Sequence, residues 1–145
     1  MTRRIFGLTL LAGFAFAAPF ATPVAARAEV IDFKATLSAA SEVPPKDSKG
    51  TGDALASLDT TTKKLSYTVT YSGLTGPASA GHIHGPAAAG TNAGVVVPFA
   101  SPVTPIIGSV VLTDAQVADL EAGKYYVNIH TAANPGGEIR GQLAK

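Results

Sequence analysis

Leu65-Ser66-Tyr67-Thr68-Val69-Thr70-Tyr71 is the stretch that decides the fold. Apolar side chains at every second position alternate with hydroxyl side chains, which is the periodicity of a strand with one buried face. The aromatic and β-branched residues also favour an extended backbone. Because residues 59–63 before it are rich in turn-forming types, we expect a half-buried strand entered through a turn, with Tyr67 and Tyr71 in the core.

The same period of two appears on both sides of this strand. Towards the N-terminus it predicts strands over residues 31–37 and 51–58, separated by a loop that contains Pro44 and Pro45. Towards the C-terminus, turn clusters separate further short strands around residues 82–84, 95–99, 106–112, 124–130 and 138–143. Short strands at such spacing predict an all-β fold, which we interpret as an antiparallel β-sandwich with Greek-key-like connections.

One short helix is expected between two of these strands. Thr113 and Gln116 have the spacing of a capping box, and Gly123 is suited to ending the helix. The helix should therefore cover about residues 113–122. At two to three turns it is a connection and not a layer.

The N-terminal segment has the pattern of an export signal. Arg3 and Arg4 precede an apolar run over residues 5–20, and Ala26-Arg27-Ala28 forms a small-x-small cleavage signature. Residues 1–28 are thus predicted to be a signal peptide, and residues 2–6 resemble a twin-arginine signal. We expect a periplasmic or secreted protein with no membrane span after cleavage, whose single domain covers residues 29–145.

The composition of the chain excludes several classes of function. The remaining 117 of the 145 residues carry 8 of the 11 basic and all 10 acidic side chains, a net charge of about −2, which gives no basic surface for nucleic acid. The chain has no cysteine, which excludes disulfides and thiolate metal sites. No spacing of serine, histidine and aspartate indicates a hydrolytic triad. We expect a monomer with no nucleic-acid partner.

All three histidines fall in two strand segments. His82 and His84 are two residues apart, so on a strand both imidazoles project to one side and Ile83 to the other. His130 ends another predicted strand, and Asn128 shares its face as a candidate for orienting an imidazole. If the two strands are neighbours and the ring nitrogens converge to within about 4 Å, they form a three-nitrogen metal site. The alternative is that these are ordinary strand histidines bonded to nearby backbone.

Such a donor set favours copper, with zinc less favoured. The affinity order of divalent metals peaks at Cu(II), and structural zinc normally takes four protein ligands. The glycine-rich residues 85–94 follow the histidine strand and are either part of the site or a plain connection. Glu138 and Arg140 share a strand face, for which we expect a surface ion pair.

Four ordered motifs run along the chain: residues 37–45 (LSAASEVPP), 65–75 (LSYTVTYSGLT), 80–86 (AGHIHGP), and 126–131 (YVNIHT) followed by 134–143 (NPGGEIRGQL). With these motifs the chain resembles the CHRD domain, a family first named from chordin and found as a single exported module in many bacteria. The resemblance implies one β domain and says little about activity, because the role of the family is uncertain.

A partial resemblance concerns the site alone. Copper/zinc superoxide dismutases carry copper on a His-x-His strand and a later histidine, with an arginine that guides the anionic substrate. His82, His84, His130 and Arg140 occur in that order here. The chain departs from the pattern in having no bridging histidine, no cluster of zinc ligands and no cysteines.

Three functions remain open at this level. The first is an exported copper-binding module that uses His82, His84 and His130. The second is a copper redox enzyme of superoxide dismutase type, in which Arg140 has a catalytic role. The third is a non-catalytic interaction or structural domain of the cell envelope that holds no metal.

Overall fold

The computed structural model describes residues 29–145, and its strands pair exclusively antiparallel among those residues. The expected all-β fold is confirmed, while the predicted signal peptide, residues 1–28, lies outside the described residues. The strands are β1 (Val30–Ser38), β2 (Thr51–Asp59), β3 (Lys64–Ser72), β4 (Ala78–His84), β5 (Val95–Pro98), β6 (Ile106–Val111), β7 (Tyr126–Thr131) and β8 (Ile139–Gln142).

The eight strands form one nearly closed sheet with the order β5-β4-β7-β8-β1-β2-β3-β6. The neighbours β3 and β6, and likewise β4 and β7, are joined by crossovers, as expected for Greek-key-like connections. The two four-stranded halves meet where β1 pairs β8, through the single register pair of Ser38 with Arg140 and a bridge from Lys34 to Ala144. The predicted sandwich is therefore a continuous sheet folded over its own core.

The core lies between the two halves and follows the predicted alternation. Ile83 is 1% exposed and faces this core, so His82 and His84 project from the opposite side of β4. Tyr67 is buried as expected, and Tyr71 packs against the core while donating to the Pro102 carbonyl. Both halves contribute large buried side chains, including Phe33, Leu37, Leu58, Leu65, Val69, Val127, Ile129, Ile139 and Leu143.

The one α-helix of the described residues, α1 (Asp114–Glu121), connects β6 to β7. The capping box is present in both directions: Gln116 N–H donates to Thr113 Oγ1, and Thr113 N–H donates to Gln116 Oε1. Gly123 follows with a φ of 69°, which a glycine adopts without strain. This confirms the helix that was predicted over residues 113–122. Within residues 29–145, no helix has the length and hydrophobicity needed to cross a membrane.

Candidate metal centre

The fold brings all three histidines of the chain to one place. β4 and β7 are antiparallel neighbours, with His82 opposite Asn128 and Ala80 opposite His130, so His82 and His130 are diagonal neighbours on the outer side. Nδ1 of His82 lies 3.0 Å from Nε2 of His130. One nitrogen from each of the three rings lies within 4.8 Å of the other two. The first pair is inside the expected 4 Å, and the full set is slightly wider.

Backbone carbonyls fix the orientation of two of these rings. Nδ1 of His84 lies 3.0 Å from the Ala93 oxygen, and Nδ1 of His130 lies 3.0 Å from the Pro135 oxygen. Because a carbonyl only accepts, both Nδ1 atoms carry the proton, and both Nε2 atoms hold a lone pair in the neutral rings. A histidine that ligates a metal commonly donates its other ring N–H in this way.

His82 completes the arrangement. His130 Nε2 has no proton to donate in the neutral ring, so the 3.0 Å contact is a hydrogen bond from His82 Nδ1–H. If that proton moved to Nε2 of His82, Nδ1 of His82 would hold a lone pair that faces the same space as the Nε2 lone pair of His130. The three available donors are then Nδ1 of His82 and Nε2 of His84 and His130.

Nε2 of His84 is buried and has no hydrogen-bond partner among the described residues. A buried polar atom without a partner costs on the order of 1–3 kcal/mol, so it calls for a compensating interaction. Of the three rings, His84 is the one whose Nε2 lone pair is both buried and without a partner among the described residues. His82 and His84 are half-buried, and His130 is 9% exposed.

Burial lowers the pKa of all three imidazoles. It is the largest cause for His82, with added repulsion from His130 and His84. The carbonyl contacts of His84 and His130 partly offset the lowering, while Arg140 adds to it. The rings are therefore neutral near pH 7, which is the protonation state that binds metal.

The environment of His84 includes an aromatic residue that the sequence analysis did not single out. Tyr126 stacks on the His84 ring at 5.0 Å between centroids and 4° between planes. Its hydroxyl accepts from the Ala93 N–H at 3.0 Å. Tyr126 lies two positions before Asn128 and four before His130, so the period of two could have placed it on this face.

Arg140 is buried, and the predicted surface ion pair with Glu138 is wrong. Arg140 is 4% exposed, its Nε lies 3.4 Å from Glu42 Oε2, and its guanidinium carbon lies 4.0 Å above the Tyr126 ring. The buried Nε of Arg140 has no hydrogen-bond partner among the described residues. Its contact with Glu42 is therefore an ion pair without a well-formed hydrogen bond. A guanidinium so enclosed gives no support to Arg140 as a guide for anions.

Asn128 lies on the expected face, but its described hydrogen bond does not go to an imidazole. Its Nδ2 donates to Glu42 Oε1 at 2.7 Å, and its Oδ1 has no partner among the described residues. Glu42 is 3% exposed, and burial raises its pKa, an effect that Arg140 and Asn128 partly offset. Glu42 was missed because it lies in a proline-containing loop, where no periodicity assigns a face.

Residues 85–94, left open by the sequence, contact the site directly. The Ala93 carbonyl accepts a hydrogen bond from His84 Nδ1–H, while the Thr91 carbonyl and the Asn92 Oδ1 accept from the two terminal nitrogens of Arg140. The Asn92 Nδ2 also donates to the Val43 carbonyl at 3.1 Å. The segment therefore packs over the outer face of β4 and β7 as a covering loop, and we call residues 85–94 the cover loop.

The Glu138 carboxylate is bound by residues other than the three histidines. Its carboxylate is fully buried and accepts from Ser48, Thr75, Thr131 and Asn134, with distances between 2.5 and 3.2 Å. Burial alone would raise its pKa, but the hydrogen bonds from Ser48, Thr131 and Thr75 outweigh it and lower the pKa from 4.5 to about 2. The charged carboxylate of Glu138 thus joins distant segments of the chain by hydrogen bonds.

These features define a small antiparallel β domain with a half-buried cluster of three histidines on its outer face. The chain belongs to the CHRD domain family, whose model matches residues 33–143. No match was found among curated proteins or among solved structures.

Proposed function

We propose that this protein is an exported copper-binding module whose ligands are His82, His84 and His130. The observation that carries the proposal is the donor set: two imidazoles present Nε2 because carbonyls hold their Nδ1 protons, and the Nε2 of His84 is buried without a partner. A bound cation would supply the missing interaction for that nitrogen.

The donor set supports copper over zinc. Three imidazole nitrogens suit Cu(II), at which the affinity order of divalent metals peaks, whereas structural zinc normally takes four protein ligands. Binding would draw the His84 ring inward by on the order of 1 Å to reach the spacing of a single ion.

The composition of the chain makes a direct test possible. It contains three histidines, no cysteine, and a single methionine at position 1. Imidazole nitrogen couplings in the spectrum of a copper complex must therefore come from His82, His84 or His130. We expect one tight equivalent of Cu(II) per protein in a calorimetric titration of residues 29–145, with an electron paramagnetic resonance spectrum typical of three imidazole nitrogens.

The deciding variant is His82→Ala/His84→Ala, which removes two of the three ligands and should lose the tight equivalent, a drop in affinity of more than about 100-fold, the upper cost of removing only a group that orients a ligand. The matched control is Ser57→Ala/Ser66→Ala, two outer-face residues of β2 and β3 away from the histidines, which should bind as the unaltered protein does. Unchanged binding in the histidine variant would refute the proposal, because the copper would then be held outside the three histidines.

A further inference from the structure

We propose that Arg140 is a positioning residue for His84: it holds the cover loop and Tyr126 so that His84 keeps its proton on Nδ1 and presents Nε2. The inference deepens the proposed function, on which its copper measurement rests. It assigns to Arg140 a task that involves no contact with the metal and no contact with an anionic substrate.

The first step is the hydrogen bonding of Arg140 to the cover loop. Its Nη1 donates to the Thr91 carbonyl at 3.2 Å, and its Nη2 donates to the Asn92 side-chain oxygen. The two terminal nitrogens thus bind two consecutive residues, which only a planar, two-armed group can do from one position. The next residue along the chain is Ala93, whose carbonyl accepts the hydrogen bond from His84 Nδ1–H.

The second step runs through Tyr126. The guanidinium of Arg140 lies on one face of the Tyr126 ring at 4.0 Å, and the His84 ring lies parallel to Tyr126 at 5.0 Å. The Tyr126 hydroxyl accepts from the Ala93 N–H, the same residue whose carbonyl meets His84. Arg140 therefore contacts Tyr126 directly by stacking, and acts on Ala93 through its hydrogen bonds to Thr91 and Asn92, the two residues that precede Ala93.

The third step is the support of Arg140 itself. Glu42 provides its counter-charge, and Asn128 holds the other oxygen of Glu42 at 2.7 Å. β8 fixes the backbone of Arg140 between Asn128 on β7 and Ser38 on β1. Besides its charge, which contributes to the lowered pKa of His84, Arg140 supplies geometry, because its side chain is 4% exposed and is held by contacts with Glu42, Tyr126 and the cover loop.

The three imidazoles give a test that needs no metal. In ¹⁵N-labelled, metal-free protein the histidine ring nitrogens form three spin systems, and the tautomer of each can be read from its shifts. We expect His84 in the unaltered protein to be a single tautomer with the proton on Nδ1. In Arg140→Gln and in Asn92→Ala, His84 should become a mixture of both tautomers, while His130, held by Pro135, should not change.

The Arg140→Lys variant separates geometry from charge. It keeps a cation but lacks the two-armed planar group, so it should behave like Arg140→Gln. Tyr71→Phe is the control for the loss of one hydrogen bond in a folded protein, since it removes only the bond to the Pro102 carbonyl. This control should leave the His84 tautomer as it is.

The copper measurement completes the test. Arg140→Lys and Asn92→Ala should bind Cu(II) about 10–100-fold more weakly than the unaltered protein, which is the usual cost of removing a group that orients a ligand, and Tyr71→Phe should not. A single, unchanged His84 tautomer in folded Asn92→Ala and Arg140→Lys would overturn the positioning role, as would full copper affinity in both. Should Arg140→Gln fail to fold, Asn92→Ala decides, because it keeps the ion pair with Glu42.

The two proposals fail in different ways. If the unaltered protein binds no copper but its His84 tautomer depends on Arg140, the copper function is refuted and the positioning role stands. If the unaltered protein binds copper and the variants bind equally well, the function stands and the positioning role is refuted.

Discussion

The outer faces of the two halves of the sheet share one sequence pattern and have opposite surroundings. On β2, β3 and β6 the outward side chains meet solvent: Leu55 is 54% exposed and Ile107 is 74% exposed. On β7 and β8 the outward side chains are buried although they are polar, as the low exposures of Asn128 and Arg140 show. Alternation decides which side chains leave the core, and loops decide whether those side chains reach water.

The connections explain the difference between the two faces. β2 and β3 are joined by a short turn over residues 60–63, which is too short to fold back over the sheet. β4 and β5 are joined by the ten-residue cover loop, residues 85–94, and Glu42 reaches the same face from the loop after β1. A covered polar face must satisfy its groups internally, and the histidine site is built there.

The largest expected effect comes from the buried ion pair of the covered face. Glu42→Gln leaves Arg140 without its counter-charge, and we expect the free energy of unfolding to fall by about 3–5 kcal/mol. Glu121→Gln, which breaks the exposed pair with Lys145 at 3.0 Å, should cost at most about 1 kcal/mol. Urea unfolding of both variants measures the contrast, and equal losses would mean that coverage does not matter.

A glycine next to this pair gives the second effect. Gly137 has a φ of 124°, and a Cβ there would lie 2.5 Å from Asn128 Oδ1 and 2.6 Å from Glu42 Oε1. Gly137→Ala should therefore cost about 2–4 kcal/mol through backbone strain and displaced neighbours. Gly90→Ala, with a φ of 80° and open space around it, should cost only the strain of about 1 kcal/mol. Thermal melts compare the two.

Glu138 predicts a pH dependence of stability. Its pKa is lowered to about 2 in the folded protein, so its stabilising effect is fully present above the unfolded pKa of about 4.5 and is lost as the pH falls towards 2. Glu138→Gln should be less stable by on the order of 2 kcal/mol at pH 7. Urea midpoints of both proteins between pH 7 and pH 2 should converge on acidification, and a constant gap would contradict the assignment.

The smallest effect is expected on the open face. Ile107→Ser removes an apolar side chain that is 74% exposed on the edge strand β6, and stability should change by less than about 0.5 kcal/mol. Ile83→Val removes one methyl group from the buried side of β4 and should cost about 0.5–1.5 kcal/mol. A larger loss for Ile107→Ser than for Ile83→Val would contradict the assignment of this face as open to solvent.

Local sequence signals predicted the parts of this fold that depend on local physics. The alternation from Leu65 to Tyr71, the capping box at Thr113 and the shared face of His82 and His84 all appear as expected. The meeting of His130 with the histidine pair was predicted on the condition that their strands are neighbours, and the pairing of β4 with β7 meets that condition.

The parts that were missed depend on contacts between distant segments. Periodicity placed Glu138 and Arg140 on one face but carried no information about what covers that face, so burial was mistaken for exposure. The partner of Arg140 is Glu42, from the other end of the chain. The continuity of the sheet through Ser38 and Arg140 had no signal either, because a single register pair leaves no pattern in the sequence.

That single pair also bears on the kinetics of the molecule. β8 follows every other strand in the chain and is inserted between β7 and β1, and closing contacts between such distant positions is slow. Arg140 lies on β8 and its counter-charge Glu42 follows β1, so the ion pair that supports Arg140 forms only when the two halves join. If copper binds at the histidines as proposed, we expect it to stabilise contacts that form after the folding barrier, and therefore to lengthen the lifetime of the folded protein without accelerating its folding.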